Sequence, residues 1–416
     1  MRWLLALMLV PLAACPTPPP VVVPPATTHI HIHVRDVNHP DTGIVGATVR
    51  LNTGPETWVT GITAGTDGYA MLTVPADLTD TQLQITAEGW QPIDRHEVVA
   101  PEVTLVVPMQ PVFVPLPKLV TRGKFFRRAD GTPFTAIQTS DFNLFNRYQR
   151  GEDIRPILQE RKDLGFNLLR VWTLYDLAPG IGVLLDPDYG KLPAFLDLCA
   201  TYGFYVELTA YTSTERVEHW GKLVVAVQGK TNVLLELVNE LAHSVNALEH
   251  FSEYQKPAGI LASHGSNGMD IPVVQPIWDY VTLHSNGEYQ EQRKIGHNAM
   301  ELWDGPTLTN ETSRFPDVGM WKGQTLARQQ ELAYDAAAGA ALLAAGACFH
   351  TVSGKTSSLF TEAERTVAAA WVAGARSVPL SCQAGPYKHR QDLEGSTFLR
   401  VYERPVSGYE CVVRIR

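Results

Sequence analysis

The chain has 416 residues, of which 45% are hydrophobic, and this is enough for two or three domains with buried cores. Its formal net charge at pH 7 is -9, and no long run of basic residues is present. These features argue against a nucleic-acid-binding protein and against a protein held to membranes by a basic patch.

The N-terminus has the features of an export signal. Arg2 is followed by an apolar stretch, WLLALMLVPL, that is too short to span a bilayer as a stable helix and has the form of a secretory h-region. The stretch closes with LAAC, which resembles the lipobox of bacterial lipoproteins. That resemblance implies that Cys15 is lipidated and becomes the new N-terminus of the mature protein. An ordinary signal peptide followed by an unrelated cysteine is the alternative.

The same resemblance predicts a location for the protein. Pro16 stands where the lipoprotein pattern would require aspartate for inner-membrane retention, which favours the outer membrane or the periplasmic side of the envelope. Residues 16–27, PTPPPVVVPPAT, form a proline-rich linker that holds the folded part away from the membrane. We therefore expect a signal peptide over residues 1–15 and a soluble protein tethered to the bacterial cell envelope through Cys15.

Residues 28–112 show short alternating runs separated by turn residues, a pattern typical of a small all-β sandwich domain. The predicted strands are 29–35, 45–52, 57–63, 69–74, 82–87, 95–99 and 103–108. The segments GTDGYAMLTV and ITAEGWQP resemble the carboxypeptidase-regulatory-like family of β-sandwich modules. That resemblance implies a spacer or a binding accessory without catalytic residues.

Two sets of residues raise the question of a metal site. His29, His31 and His33 share one face of the first strand and could ligate a metal, but a solvated strand face is the favoured interpretation, since no carboxylate or cysteine lies nearby. Four cysteines besides Cys15 show no CxxC spacing, which argues against zinc. They are Cys199, expected in packing, Cys348, and the pair Cys382 and Cys411, which is the candidate disulfide. We expect neither a metal nor a cofactor.

From residue 113 to about 380 strands alternate with helices, which predicts an α/β fold, a (β/α)8 TIM barrel. The predicted barrel strands are 134–138, 167–172, 204–210, 233–239, 259–264, 279–284, 306–310 and 347–352. Residues 381–416 predict one or two β-hairpins packed on the barrel.

Polar pairs end two of the predicted barrel strands. The fourth, NVLLELVNE, ends on Asn239 and Glu240, and the seventh, PTLTNE, ends on Asn310 and Glu311. In this fold the active site lies where the strands end, so both carboxylates are expected around one pocket. Two such groups suit glycoside hydrolysis, because one must protonate the leaving oxygen while the other attacks the anomeric carbon or activates water. A separation of about 5–5.5 Å predicts retention and about 6.5–9.5 Å inversion.

The barrel resembles the retaining glycoside hydrolases of clan A, and most of all family 5. The resemblance covers nearly all of residues 118–360 and rests on RGKFFRRADGTPF, GFNLLRVW, LLELVNE and TLTNE. It implies that Glu240 is the acid/base and Glu311 the nucleophile. It also implies that Asn239 binds the sugar 2-hydroxyl and that Arg170 holds Glu311 ionised.

Each assignment has a structural alternative. Glu311 could cap a helix, because NETS also fits a helix start. Arg170 could belong to an internal ion pair without a chemical role. Glu240 could be a packing residue, although an apolar strand rarely ends on a polar pair for that reason. Glu236 shares the parity of Glu240 and is expected to be a structural carboxylate inside the barrel.

Further candidates lie along the same rim. Three histidines end predicted strands and could bind sugar hydroxyls or serve as structural hydrogen-bonding groups: His264, His284 and His350. Three aromatic residues could stack on sugar rings, although Trp172 fits core packing as well: Trp172, Tyr211 and Trp303. The family 5 pattern is not complete, for Leu241 follows the Asn-Glu pair where proline is usual, Asn286 replaces an expected tyrosine, and no tryptophan accompanies His350.

These observations predict a monomeric, lipid-tethered hydrolase that cleaves β-linked oligo- or polysaccharides with retention. The alternative is a catalytically inactive barrel that acts as a carbohydrate-binding or adhesive lipoprotein. A metal-dependent barrel hydrolase is disfavoured, because no His/Asp cluster on the rim has ligand spacing. The fold alone does not decide among these chemistries.

Overall fold

The computed structural model describes residues 26–37, 43–64, 67–100, 104–109, 115–174, 187–211, 217–240, 254–266, 278–284, 305–312, 314–316, 318–343 and 345–379, and the backbone of three strands near the C-terminus. The predicted signal peptide, with Cys15, and nearly all of the linker lie outside these residues. The chain divides into two compact units, Met1–Val112 and Phe113–Arg416.

Among its described residues, the first unit has seven strands in two sheets. They are β1 (Thr27–Asp36), β2 (Thr48–Gly54), β3 (Thr57–Ile62), β4 (Tyr69–Pro75), β5 (Asp80–Thr86), β6 (Ile93–Val98) and β7 (Thr104–Met109). One sheet has the order β4-β1-β7 and the other β3-β2-β5-β6. Ile30, Ile32 and Val34 alternate along β1 and share a buried core with Val49 and Leu83 of the other sheet. The predicted all-β sandwich is confirmed.

The three histidines of β1 lie on the face opposite this core. The His33 ring stacks on the Tyr69 ring of β4 with centroids 4.3 Å apart, and His29 Nδ1 lies 3.2 Å from Thr73 Oγ1. Cross-strand contacts therefore account for two of the three side chains.

The second unit begins with a small antiparallel sheet of β8 (Leu119–Arg122), β9 (Phe125–Arg128) and β10 (Pro133–Phe134). Phe126 and Phe134 are buried against residues near the starts of barrel strands, including Leu168 and Leu308. The Phe134 ring meets the Tyr205 ring edge to face, with centroids 4.9 Å apart. This sheet therefore packs against the end of the barrel where the strands begin.

Eight parallel strands follow and form one sheet in the order β15-β14-β13-β12-β11-β18-β17-β16. They are β11 (Ala136–Ser140), β12 (Leu168–Trp172), β13 (Tyr205–Tyr211), β14 (Val233–Glu240), β15 (Leu261–Ser266), β16 (Val281–His284), β17 (Thr307–Glu311) and β18 (Gly346–Phe349). The two edges of the sheet also meet, since Asp279 N donates to Ala262 O at 2.9 Å. The predicted (β/α)8 barrel is confirmed.

Helices cover the outside of the barrel. The described α-helices are α1 (Leu144–Gln149), α2 (Arg155–Leu164), α3 (Leu192–Thr201), α4 (Val217–Ala226), α5 (Leu326–Leu343), α6 (Val352–Thr356) and α7 (Glu362–Arg376). Local sequence sets their ends: α2 stops at Gly165, which has φ 97°, and α7 starts with a capping box between Thr361 and Glu364. Their apolar faces join the barrel strands in one large core.

Near the C-terminus, β19 (Lys388–Glu394), β20 (Thr397–Glu403) and β21 (Glu410–Ile415) form a three-stranded antiparallel sheet. Cys199 and Cys348 are buried free thiols. Cys382 and the side chain of Cys411 lie outside the described residues, so the proposed disulfide stays a prediction. Among the described helices, none combines the length and the apolar content needed to cross a membrane.

Candidate active site

Arg170 is the central residue of the predicted site. It lies on β12 with its side chain fully buried in the barrel interior. Its Nη1 donates to Glu311 Oε2 at 2.8 Å, its Nη2 donates to Glu236 Oε2 at 2.7 Å, and its Nη2 also donates to Asn239 Oδ1 at 2.6 Å. One guanidinium therefore joins residues from β12, β14 and β17.

Irregularities in two strands make these contacts possible. Successive residues of a regular strand point to opposite faces, so neighbours cannot both enter the barrel. The pairing of β17 with β16 shifts register before Glu311, and both Asn310 and Glu311 contact interior groups. The pairing of β14 with β15 shifts between Val238 and Glu240, and Asn239 reaches Arg170. Bulges of this kind re-aim side chains near active sites.

Glu236 is a fully buried carboxylate with a complete set of donors. Its Oε2 accepts from Arg170 and from Thr209 Oγ1 at 2.6 Å, and its Oε1 accepts from Asn310 Nδ2 at 2.6 Å. These bonds compensate for the cost of burying the charge, as expected for a structural carboxylate.

Glu207 is a second interior carboxylate, and it was not among the residues predicted from the sequence. It pairs with Arg170 in the register of β12 and β13, so both side chains point into the barrel. Its Oε2 accepts from Gln138 Nε2 at 2.7 Å, and its Oε1 lies 2.8 Å from Tyr280 Oη. The signal was present, because Glu207 interrupts the apolar run YVELTAY just as Glu236 interrupts VLLELV.

Two histidines flank Glu311 from opposite sides. His284 ends β16 with Nε2 4.0 Å from Glu311 Oε2, and the same nitrogen lies 3.4 Å from Arg170 Nη2. His350 follows β18 with Nε2 3.9 Å from Glu311 Oε1, while its Nδ1 lies 2.8 Å from Ser140 Oγ. Burial lowers the pKa of His350 to about 4, so this imidazole is neutral at ordinary pH.

The environment keeps Glu311 ionised. Burial by itself raises the pKa of this carboxyl, but His284, His350 and Arg170 together lower it to about 2. Since His350 is neutral above about pH 4, the permanent charge of Arg170 remains the dependable cause at neutral pH. The Glu311 side chain is 25% exposed, so the site presents an ionised and accessible carboxylate at a strand end.

Other predicted site residues take different positions. Trp172 is 4% exposed and stacks on Phe142 with ring centroids 3.9 Å apart, which is the packing alternative. His264 on β15 is buried, and this burial lowers its pKa to about 4 against the opposing charge of Glu236. Both residues are thus part of the interior.

The acid/base candidate is described only by its backbone. Glu240 closes β14 and pairs with Ser266 of β15, and Tyr211 closes β13; the side chains of Glu240 and Tyr211 lie outside the described residues, as does Trp303. The separation of Glu240 and Glu311 therefore stays a prediction. In the described parts of the chain, no group of three or more His, Cys, Asp or Glu side chains could hold a metal ion.

The fold is similar to that of a solved structure described as a glycoside hydrolase. A Bacteroides vulgatus protein assigned to the glycoside hydrolases matches with a TM-score of 0.50 and 12% identity, over 90% of this chain and 82% of its own. A family 5 glycoside hydrolase from the same organism matches with a TM-score of 0.44 and 12% identity, over 57% of this chain and 63% of its own. A β-mannanase of the blue mussel Mytilus edulis matches with a TM-score of 0.40 and 10% identity, over 62% of this chain and 97% of its own.

At these identities the first likeness shows the fold, and the two weaker ones add no argument. No protein family model and no curated protein sequence matches the chain. The chain is therefore a (β/α)8 barrel of a kind found among glycoside hydrolases, with a buried arginine–carboxylate site at the strand ends.

Proposed function

We propose that this protein is a retaining glycoside hydrolase that acts on β-linked glycans. In this proposal Glu311 attacks the anomeric carbon, and Glu240 protonates the leaving oxygen and then activates water. Asn239 binds a hydroxyl of the sugar. The glycosyl–enzyme ester forms on Glu311 and is hydrolysed in the second step, which restores the starting anomeric configuration.

The observation that carries the proposal is the state of Glu311. A nucleophilic carboxylate must be ionised, accessible and fixed in position. Glu311 receives a hydrogen bond from Arg170 at 2.8 Å, has a pKa lowered to about 2 and keeps 25% of its side chain exposed. Glu236 already neutralises the charge of Arg170 from inside the barrel, and it does this while fully buried. The partial exposure of Glu311 is therefore not explained by charge neutralisation alone.

Support for Glu240 comes from position. It ends β14 directly after Asn239, whose side chain is bound to Arg170. Asn239 Oδ1 accepts from Arg170, and no hydrogen bond of its amide NH₂ is among the contacts of the described residues, so this group can donate to a sugar hydroxyl. The general acid would then lie one residue beyond this amide, at the carboxyl end of its strand.

We also propose that the protein is exported and tethered to the cell envelope through a lipid on Cys15. The export signal, the LAAC sequence and the proline-rich linker support this. Incorporation of labelled fatty acid, compared between wild type and Cys15→Ser, tests it. Label in wild type alone is the expected result, and unlabelled wild type would contradict the anchor.

The activity is tested with a panel of β-linked aryl glycosides and polysaccharides. Wild type is compared with Glu240→Gln and Glu311→Gln, which keep the size of each side chain and remove its charge. We expect hydrolysis of at least one substrate and a fall in kcat of about a thousandfold or more in Glu311→Gln. Glu240→Gln should lose less on aryl glycosides whose leaving group needs no protonation than on unactivated sugars.

The same panel distinguishes the inactive-barrel alternative. Sugar binding measured by calorimetry, without turnover of any substrate in the panel and with equal affinity in all three proteins, would support a binding protein instead. Full activity in Glu311→Gln would exclude Glu311 as the nucleophile.

A further inference from the structure

Acidic side chains outnumber basic ones around Arg170 in the barrel interior. Glu207, Glu236 and Glu311 lie around Arg170, with N–O distances of 4.0, 2.7 and 2.8 Å to its guanidinium. Within the described contacts, Arg170 is the one permanently charged cation that these three side chains share. Burying two uncompensated negative charges is very costly, so one of the three carboxyl groups is expected to be neutral.

Hydrogen bonding indicates which carboxyl is neutral. Glu311 and Glu236 each accept charge-assisted bonds from Arg170 N–H groups, which favours their ionised forms. Glu207 approaches no closer than 4.0 Å to Arg170 Nε and is bonded to neutral partners. Its side chain is also fully buried, whereas that of Glu311 is 25% exposed. Of the three carboxyl groups, Glu207 is therefore the one whose neutral form is most favoured.

The contacts of Tyr280 support the same choice. Its Oη lies 2.8 Å from Glu207 Oε1 and 3.1 Å from the Leu235 carbonyl oxygen, but a phenol has one proton to donate. Both contacts become hydrogen bonds if Tyr280 donates to Leu235 O and accepts from a protonated Glu207. An ionised Glu207 would leave one of the two oxygen pairs without a proton between them.

We propose that Glu207 is protonated while Glu236 and Glu311 are ionised, and that this neutral carboxyl is a positioning residue for Arg170. Because Glu207 is neutral, it does not attract the guanidinium of Arg170, which donates its hydrogen bonds to Glu236 and Glu311. Its ionisation would place a third negative charge at 4.0 Å from Arg170 Nε and draw the guanidinium away from Glu311. The effect on catalysis rests on the proposed function; the proton on Glu207 does not.

The surrounding charges agree with this proposal. Burial, and then the negative charge of Glu236, raise the pKa of Glu207 to about 7, against the opposing effects of the Arg170 charge and of the contacts with Gln138 and Tyr280. The ionisable groups that face it are Arg170 on β12, Glu236 on β14, Tyr280 before β16 and Cys348 on β18. Burial also raises the pKa of the Tyr280 phenol and of the Cys348 thiol, so both stay neutral.

The first test is infrared spectroscopy of the folded full chain. A protonated, buried carboxylic acid gives a carbonyl band separate from those of carboxylates. We expect this band in wild type below about pH 7, its loss in Glu207→Gln and its persistence in Glu236→Gln. Asp141 is another buried carboxyl with a raised pKa, of about 6, because its burial outweighs the charge of Arg161, so Asp141→Asn serves to assign its own band.

Tyr280→Phe supplies a check that keeps Glu207, Glu236 and Glu311 in place. It removes the oxygen that accepts the Glu207 proton, so the frequency of the Glu207 band should shift. A band that is lost in Glu236→Gln and kept in Glu207→Gln, or that does not respond to Tyr280→Phe, would overturn the proposal.

The second test is the pH dependence of stability. A carboxyl whose folded pKa exceeds its unfolded value binds more protons in the folded state, so its contribution to stability falls as pH rises between the two values, here from about 4.5 to about 7. Glu207→Gln lacks this titration. We expect the melting temperature of Glu207→Gln to rise relative to wild type between about pH 5 and about pH 8. A relative fall would mean that Glu207 is ionised.

Activity gives the third readout, through Arg170. Glu236→Gln removes an ionised partner of Arg170, and Glu207→Gln replaces a group that is already neutral. We expect kcat/KM on the best substrate to fall about tenfold or more further in Glu236→Gln than in Glu207→Gln. The reverse order would contradict the positioning role, whereas absence of activity in wild type would reject the proposed function and leave the infrared and stability results as the tests of the proton.

Discussion

Arg170 and Glu311 are joined across the interior of the barrel by a hydrogen bond of 2.8 Å from Nη1 to Oε2. Two other strands, β11 and β18, separate their strands within the sheet. The bond therefore depends on barrel closure, and the two residues meet only when the whole unit is folded. This relationship fixes the charge and the orientation of the proposed nucleophile, and several expected outcomes follow from it.

Replacement of Arg170 by lysine should raise the pKa of Glu311. Lysine keeps the positive charge but cannot form the same set of planar N–H bonds to Glu311, Glu236 and Asn239. We expect kcat/KM to fall about a hundredfold and the acidic limb of its pH profile to move to higher pH. Arg161→Lys is the control, because Arg161 is equally buried but bonded to Asp141. An unmoved acidic limb in Arg170→Lys would contradict this role of the guanidinium.

Glu311 should contribute to stability in a pH-dependent manner. Its folded pKa of about 2 lies below the ordinary value of 4.5, so the folded state favours the ionised form. The contribution is fully present above about pH 4.5 and is lost as pH falls through about 2. Melting curves of wild type and Glu311→Gln should therefore converge in acid. A constant difference between the two proteins down to the lowest accessible pH would show that the carboxylate is not stabilised by its neighbours.

Ser140 should affect catalysis by orienting the His350 ring. Ser140 Oγ lies 2.8 Å from His350 Nδ1, and the other ring nitrogen faces Glu311 at 3.9 Å. We expect His350→Ala to lower kcat/KM by about 10- to 100-fold and Ser140→Ala to lower it less, since the serine fixes only the ring orientation. His29→Ala, in the sandwich, should have no effect. A loss in the Ser140→Ala/His350→Ala double variant that equals the sum of the two single losses, expressed as free energies, would mean that the serine acts independently of the histidine.

The pair of Asp141 and Arg161 should be important for stability. Both side chains are fully buried, and Arg161 Nε and Nη2 donate to the two carboxylate oxygens at 3.2 and 3.1 Å. Arg161→Met leaves Asp141 without its main partner, so we expect a loss of about 3–5 kcal/mol in the free energy of unfolding, measured with urea. The exposed pair of Lys222 and Glu218 is the control, and Glu218→Gln should give no measurable change.

Much of the barrel could be predicted because its strands are buried on both sides and read as apolar runs between turns. The ends of the strands were harder to place. The prediction extended the eighth strand to residue 352, but β18 ends at Phe349. Thr351 is β-branched and fits a strand, yet its side chain caps α6 by accepting from Gly354 N. A cap competes with strand propensity at the boundary, and the sequence alone does not decide between them.

The candidate site also contains residues that could be predicted from the sequence and residues that could not. Glu311 could be placed at a strand end, and the structure puts it in β17 and not at the start of a helix. Glu207 was missed although it interrupts its apolar strand as Glu236 does, because the sequence does not show that Glu207 lies beside Arg170 in the sheet. The register that sets Glu207 beside Arg170, and the bulge that turns both Asn310 and Glu311 inward, are long-range features of the closed barrel.

Chemical rescue of Glu311→Ala most directly tests the assignment of Glu311 as the nucleophile. Azide fits the space left by the carboxylate and can attack an activated aryl β-glycoside, with Glu240 still present. We predict that azide restores turnover of this variant and that the product is the α-glycosyl azide, while wild type releases the β-sugar first. Activity of Glu311→Ala without azide, or a wild-type product that is first released in the α form, would contradict a retaining mechanism with Glu311 as its nucleophile.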